Sequence, residues 1–215
     1  MNAPTEQPPK NRRGPNRQQQ RRPGRDIHPV LHQLYDLHPL LFGSRFVPLK
    51  LGIYEDLLAA HPGVLDPAQL KVAMGLHARS NRYLEAVAAG LPRHDLDARP
   101  VEPVAPEHVH HAILELYRRR STGDREPAAR EAAVKQLAAA IDRSGLGRDA
   151  YRERFGQNEG SHAIVEEALA VVAQRTARRE ALLRAWKASG QTAEAFAEMY
   201  GLAPDDVESL GDLQA

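Results

Sequence analysis

The sequence predicts a mainly α-helical protein, and three observations carry that prediction. Apolar residues recur at three- and four-residue intervals through most of the chain after residue 26, the spacing of helices with one buried face. Proline, serine, threonine and aspartate stand where those stretches begin, and glycine stands where several end. Aromatic residues make up only 5% of the chain while alanine is abundant, which favours helix over sheet.

The 215 residues suffice for one substantial domain or two small ones. There is no cysteine, which removes disulfides, thiolate zinc sites and a cysteine nucleophile together. No run approaches the roughly eighteen apolar residues of a membrane helix, and the N-terminus has no apolar signal core, so a cytoplasmic location is expected. The net charge of +1 conceals a segregation. Residues 1–26 carry seven Lys/Arg against two acids, residues 27–123 ten of each, and residues 124–215 twelve against sixteen. Three segments follow: a basic arm over 1–26, a neutral domain over 27–123 and an acidic helical region over 124–215.

The arm is Pro, Gln, Asn, Gly and Arg with little to bury, so disorder is expected. Its cations are Lys10, Arg12, Arg13, Arg17, Arg21, Arg22 and Arg25. They suit loose, salt-sensitive attraction to nucleic acid, or simply a solubilising tail. From Ile27 the pattern becomes helical. Val30, Leu31, Leu34, Tyr35 and Leu37 form a first stripe limited by Pro39, and a loop with Gly43 and Ser44 follows. Pro48 is read as opening a second helix, with Leu49, Ile53 and Leu57 inward and His61-Pro62-Gly63 ending it. Asp66-Pro67-Ala68-Gln69 reads as a cap and first turn for a third helix, whose inner face is Leu70, Ala73, Met74 and His77. Ser80 caps a short fourth helix that Gly90 closes. Residues 91–105 read as a loop or small hairpin. Pro106 opens a last domain helix with Val109, Ile113, Leu116 and Tyr117 inward and Arg118, Arg119 and Arg120 at its end. After a linker at Ser121–Asp124, helices are expected over about 127–143, 148–155 and 161–188, then a short one capped by Thr192 and another opened by Pro204.

Cations stand at two of these helix starts, where the helix dipole disfavours them. Lys50 falls in the expected first turn of the second helix. Arg79 precedes the Ser80 cap, and Arg82 and Tyr83 lie in the first turn beyond it. An anionic partner reverses the sign of that argument: free N–H groups, a hydroxyl, guanidinium groups and a phenol make a phosphate receptor. Tyr83 or Tyr54 could add base stacking or a sugar contact. The alternative is that these side chains splay into water.

The same residues carry a family resemblance. Pro48 to Leu57 resembles the Pro-Leu-Lys-(Ile/Leu)-Gly-Ile-(Phe/Tyr)-x-Asp-Leu signature of the ProQ/FinO family of bacterial RNA-binding proteins. Leu65 to Lys71 is similar to the helix start that follows it, Arg82-Tyr83-Leu84 to its Arg-Tyr-Leu element, Arg93 to Asp97 to its Asp-Leu-Asp turn, and Glu107 to Ala112 to its (Glu/Gln)-His-Val-x-His-Ala segment. The pieces stand in register over about 90 residues. The resemblance implies a compact, mostly helical domain with a small β-hairpin, here followed by an additional α-helical region. It implies an RNA chaperone or post-transcriptional regulator that recognises structured RNA, such as terminator hairpins with 3′ uridine tails and small regulatory RNAs. It places Lys50, Gly52, Tyr54, Lys71, Ser80, Arg82, Tyr83 and Arg93 on or near the RNA face, with a pocket for the 3′ end around Ser80 to Tyr83. Three departures stand out: Val47 and Gly75 where members can carry arginine, and Ala98 in place of the glycine after the Asp-Leu-Asp turn.

Other chemistries have less behind them. Nine of the ten histidines precede residue 112, including His108, His110 and His111, but nothing in their spacing makes them converge on a metal. Neighbouring acids such as Glu55 and Asp56 diverge on a helix, and no phosphate loop, nucleophile elbow or dinucleotide fingerprint occurs. No enzyme, cofactor or metal is expected. The stretch Leu183–Leu210 resembles the helix-turn-helix of some transposase-related proteins, with Phe196, Gly201, Leu202 and Val207 in core positions. Its last helix carries Asp205, Asp206 and Glu208, which repel DNA phosphates, so a packing or interaction unit is preferred over a DNA-binding regulator. The expected partner is RNA, with a protein partner for the C-terminal region as a further expectation and a monomeric chain.

Overall fold

A computed structural model of the protein describes residues 27–211. The arm of residues 1–26 lies outside the described residues, and so do residues 212–215.

The first core is built by four helices. Helix α1 (Pro29–Leu37) starts on His28, whose Nδ1 accepts from the Val30 amide at 3.3 Å. Pro39 ends α1 but also opens a one-turn helix, α2 (Pro39–Phe42), because the first helical position needs no N–H. Helices α3 (Ile53–Ala60) and α4 (Pro67–Ala78) follow, α4 capped by Asp66, which accepts from the Gln69 amide at 2.8 Å. Leu34, Leu41, Leu57, Leu70 and Ala73 are fully enclosed between them. Tyr35 and Leu37, expected inward, are exposed; the buried stripe of α1 is the narrower Val30–Leu34 pair.

One expectation about this region is corrected. Pro48 does not open a helix. The Pro48–Lys50 segment is extended and runs beside His94: the Lys50 amide donates to the His94 carbonyl and the His94 amide to the Pro48 carbonyl, each at 2.8 Å. The helix begins only at Ile53, after Gly52 turns the chain at φ +81°. That left-handed conformation favours glycine, and the extended backbone is held by a strand lying far along the sequence. No local signal at Pro48 announces it.

Helix α5 (Asn81–Ala88) leads to strands β1 (Arg93–His94) and β2 (Pro100–Glu102), paired antiparallel with Arg93 opposite Glu102. The small hairpin expected from the sequence is therefore present. Ala98, in its turn, holds φ +58°, the conformation the missing glycine would adopt without strain. Helix α6 (Pro106–Arg120) closes this part.

The following helices pack on α5 and α6. After a 3-10 turn at Gly123–Arg125 come α7 (Glu126–Ser144), α8 (Arg148–Phe155) and α9 (Glu159–Ser189). Leu84, Ile113 and Leu116 share one core with Leu137, Tyr151 and Leu169, so the boundary expected at residue 123 falls inside a continuous apolar cluster. Arg143 of α7 donates to the Ala89 carbonyl at 2.7 Å and so caps the C-terminal end of α5. The last part of α9 carries a small unit with α10 (Ala193–Tyr200) and α11 (Pro204–Gly211), closed around Phe196, Ala197 and Val207. Two short helices joined at Gly201, with Phe196 and Val207 buried between them, thus stand where the sequence suggests them, and Asp205 and Asp206 lie in the first turn of α11. No described helix is long and apolar enough to cross a membrane.

Candidate nucleic-acid interface

The two cation-bearing helix starts are built differently. Helix α3 has Glu55 and Asp56 in its first turn. Lys50 lies just before the helix and pairs with Asp56 at 2.7 Å; that bond, with Asp95 and Glu102 farther off, raises the lysine pKa. Lys50 is therefore not an unfavourable cation at a helix start: the acids that suit a helix N-terminus are present, and the lysine is bound to one of them. Gly52 is exposed, and the Tyr54 hydroxyl is spent on the Pro67 carbonyl at 3.0 Å.

Helix α5 has no acid in its first turn. Ser80 accepts from the Tyr83 amide at 3.2 Å, which leaves the amides of the first two helical residues, Asn81 and Arg82, without an intrahelical partner. Arg79 and Arg82 are exposed on either side of the cap. Arg79 folds back along α4: a Cβ built on Gly75 would lie 3.2 Å from its guanidinium. A side chain at position 75 would crowd this guanidinium, so the glycine makes the room for it. Arg82 reaches over the Phe46 ring, 5.7 Å from its centroid.

Beside this helix start opens a pocket of about 330 Å³, walled by Leu31, Tyr35, Phe42, Phe46, His77 and Arg82. His77 forms its aromatic floor, stacked on Phe46 at 4.8 Å with the rings 8° from parallel. It is 4% exposed, and its Nε2 has no hydrogen-bond partner. Burial pushes its pKa down to about 4, so at neutral pH the ring is uncharged, with one N–H and one lone pair. Tyr83 packs against His77 and accepts from the Leu49 amide at 3.2 Å, tying α5 to the extended Pro48–Lys50 segment. An acid-free helix start, two exposed guanidinium groups and a pocket walled by stacked rings offer complementary surfaces to a phosphate and an unpaired base.

The other expected residues divide. Lys71 is exposed on α4. Arg93 is a correction: it is buried, donating to the Leu49 carbonyl at 2.9 Å and bonded to His108 Nδ1 at 3.0 Å, with Glu102 at 3.9 Å. It fastens the Pro48–Lys50 segment to the hairpin and α6 rather than facing outward. Its turn motif gave no sign of this, because the partners lie on two distant segments. Sequence reading also passed over three residues that the fold brings to the site. Phe46 belongs to no sequence pattern, His77 reads in sequence only as part of an inner helix face, and Arg119 only as one of three arginines ending α6. A buried-face histidine with no partner residue in sight was the one available signal.

The part of the chain that carries these elements is similar to known proteins. A model described as the ProQ/FINO family matches residues 25–130. The RNA chaperone ProQ of Shewanella frigidimarina is 36% identical over 118 residues, covering 53% of this chain and 57% of that protein. The RNA chaperone ProQ of Shewanella oneidensis is 34% identical over 119 residues, 54% of each. This chain thus spans about half the length of the curated relatives it matches. The crystal structure of a FinO-like RNA chaperone from Neisseria meningitidis MC58 is 37% identical, covering 39% of this chain and 85% of that one, with a TM-score of 0.35. With the family's motifs in register along the helices and hairpin described above, residues 25–130 form a domain of the ProQ/FinO family.

Proposed function

We propose that this protein is an RNA chaperone or post-transcriptional regulator that binds structured RNA through the N-terminus of α5 and the aromatic pocket beside it. The observation that carries the reading is the α5 start itself, acid-free and flanked by Arg79 and Arg82, next to His77, whose Nε2 has no hydrogen-bond partner. The names of its relatives, RNA chaperones, support the same reading. Its ligand is an RNA with an unpaired 3′ end next to a hairpin, such as a terminator with a uridine tail or a small regulatory RNA. The terminal phosphodiester meets the free amides and guanidinium groups, and the last base lies against the His77–Phe46 wall. Tyr83 supports the pocket from behind through its contact with His77, exposed Lys71 offers a further cation on α4, and the basic arm of residues 1–26 adds sequence-independent attraction. The protein works as a monomer in the cytoplasm and needs no cofactor or catalytic step. The acids of α11 argue against duplex DNA as the ligand of the terminal unit.

The test is a gel shift with a terminator hairpin that ends in a single-stranded uridine tail, beside the same hairpin without it. Tighter binding of the tailed RNA, by about tenfold or more, is expected from base stacking and charged contacts. Equal affinity for the two would exclude the pocket as a 3′-end site.

A further inference from the structure

The guanidinium of Arg119 sits where two opposed helix ends meet. Its Nη1 donates to the Arg79 carbonyl at 2.7 Å and to the Asn81 Oδ1 at 2.8 Å. Its Nε donates to Glu115 at 2.7 Å. Arg79 is the C-cap of α4, where a carbonyl lacks a helical donor and a cation is favourable. Asn81 is the first residue of α5. One planar group therefore spans the whole α4–α5 turn, from the last carbonyl of one helix to the first side chain of the next. Glu115 holds the fork from behind and also binds Arg118, and these bonds keep its carboxyl down to about 2. The Arg119 Nη2 is left over, and the side chain is 28% exposed.

We propose that Arg119 is a positioning residue of the RNA site: it clamps the α4–α5 turn so that the open amides of α5 and the guanidinium groups of Arg79 and Arg82 converge on one ligand. The inference rests on the RNA-binding reading above and deepens it. The clamp also ties that site to the region after residue 123. Arg119 rides on α6, whose Ile113 and Leu116 are buried against α7 and α9, and whose Tyr117 hydroxyl donates to Glu126 at 2.9 Å. The position of the fork is set by how the C-terminal helices seat α6. Lysine cannot replace it, because an ammonium is a point charge without the fork that reaches carbonyl, amide oxygen and carboxylate in one plane.

The experiment measures affinity of the full chain and its variants for the tailed and tailless hairpins, with thermal unfolding alongside. Arg119→Met and Arg119→Lys should each weaken the tailed RNA about tenfold and the tailless RNA less than about threefold, as expected for lost charge-assisted bonds at one subsite. Asn81→Ala, which keeps every charge, should cost the tailed RNA about threefold. The ratio between the two RNAs is the informative quantity, because a merely structural defect lowers both alike. Full rescue by Arg119→Lys, or equal loss on both RNAs, overturns the clamp while leaving RNA binding in place. A wild-type chain with no preference for the tailed RNA overturns the RNA reading of the site, and the clamp with it.

Discussion

The starts of α3 and α5 look alike in sequence, each with a lysine or arginine close to the N-terminal end of a short helix. In the structure they are opposites. At α3, Glu55 and Asp56 occupy the first turn and Lys50 is bound to Asp56. At α5 no acid is present, Arg79 and Arg82 stand exposed, and the neighbouring Glu115 is already held by Arg118 and Arg119. The first end is internally neutralised and has little to gain from an anion. The second keeps its donors and its positive charge open, which costs stability in the free protein and is recovered when a phosphate arrives. A cation near a helix start is therefore a weak sign of a binding site until the acids around it are known.

The largest expected effects separate those two ends directly. Arg82→Ala should weaken binding of a tailed RNA hairpin by about 10- to 100-fold, the scale of a charged contact combined with lost stacking. Lys50→Ala should weaken it by no more than about fivefold, since its charge is already shared with Asp56. Binding titrations at fixed salt would check this, and an equal loss for both variants would erase the distinction.

Acid should come next, because it strikes the floor of the α5 pocket. His77, and His110 beneath α8, are both held neutral by burial with pKa values pushed down to about 4 from 6.5. The unfolded chain takes up these protons below about pH 6.5, whereas the folded chain resists them until about pH 4. Their contribution to stability is complete above pH 6.5 and is lost as the pH falls from there to 4, by about 1–3 kcal/mol per histidine. Thermal unfolding at pH 7 and at pH 4.5 should differ accordingly, and His77→Phe should remove part of the difference. A Tm independent of pH across that window would contradict the burial of both rings.

Two smaller substitutions probe the local backbone of each end. Gly52→Ala forces a side chain into the left-handed conformation that starts α3 and should destabilise by about 1–2 kcal/mol. Ser80→Ala removes the α5 cap and should cost about 1 kcal/mol. Both are read by chemical denaturation. Smallest of all, Ala98→Gly relieves the φ of +58° in the hairpin turn, and should raise stability by about 0.5–1 kcal/mol. A loss there would mean that the alanine methyl makes a contact worth more than the strain.

Much of the fold was legible because it is written locally. The Asp66 and Ser80 caps, the first-turn prolines of α4 and α6, and the apolar spacing of α4, α6, α7 and α9 are signals within a few residues of the elements they define. The failures share a cause of the opposite kind. The extended Pro48–Lys50 segment is made by His94, the burial of Arg93 by Leu49 and His108, and the role of Arg119 by Arg79 and Asn81. Each depends on partners 15 to 46 residues away in sequence. Charge and hydropathy patterns cannot reveal such pairings. The same holds for the core shared across residue 123: a short polar stretch that reads as a linker is a tight turn between two helices with facing apolar stripes.

The most direct test of where the RNA end lies is photocrosslinking of a hairpin whose last tail nucleotide is 4-thiouridine, followed by mass spectrometry of the crosslinked peptides. Crosslinks to Phe46, His77 or Tyr83, lost on competition with unmodified tailed RNA, are the predicted result. Crosslinks confined to the start of α3 or to α10 and α11 would contradict the account.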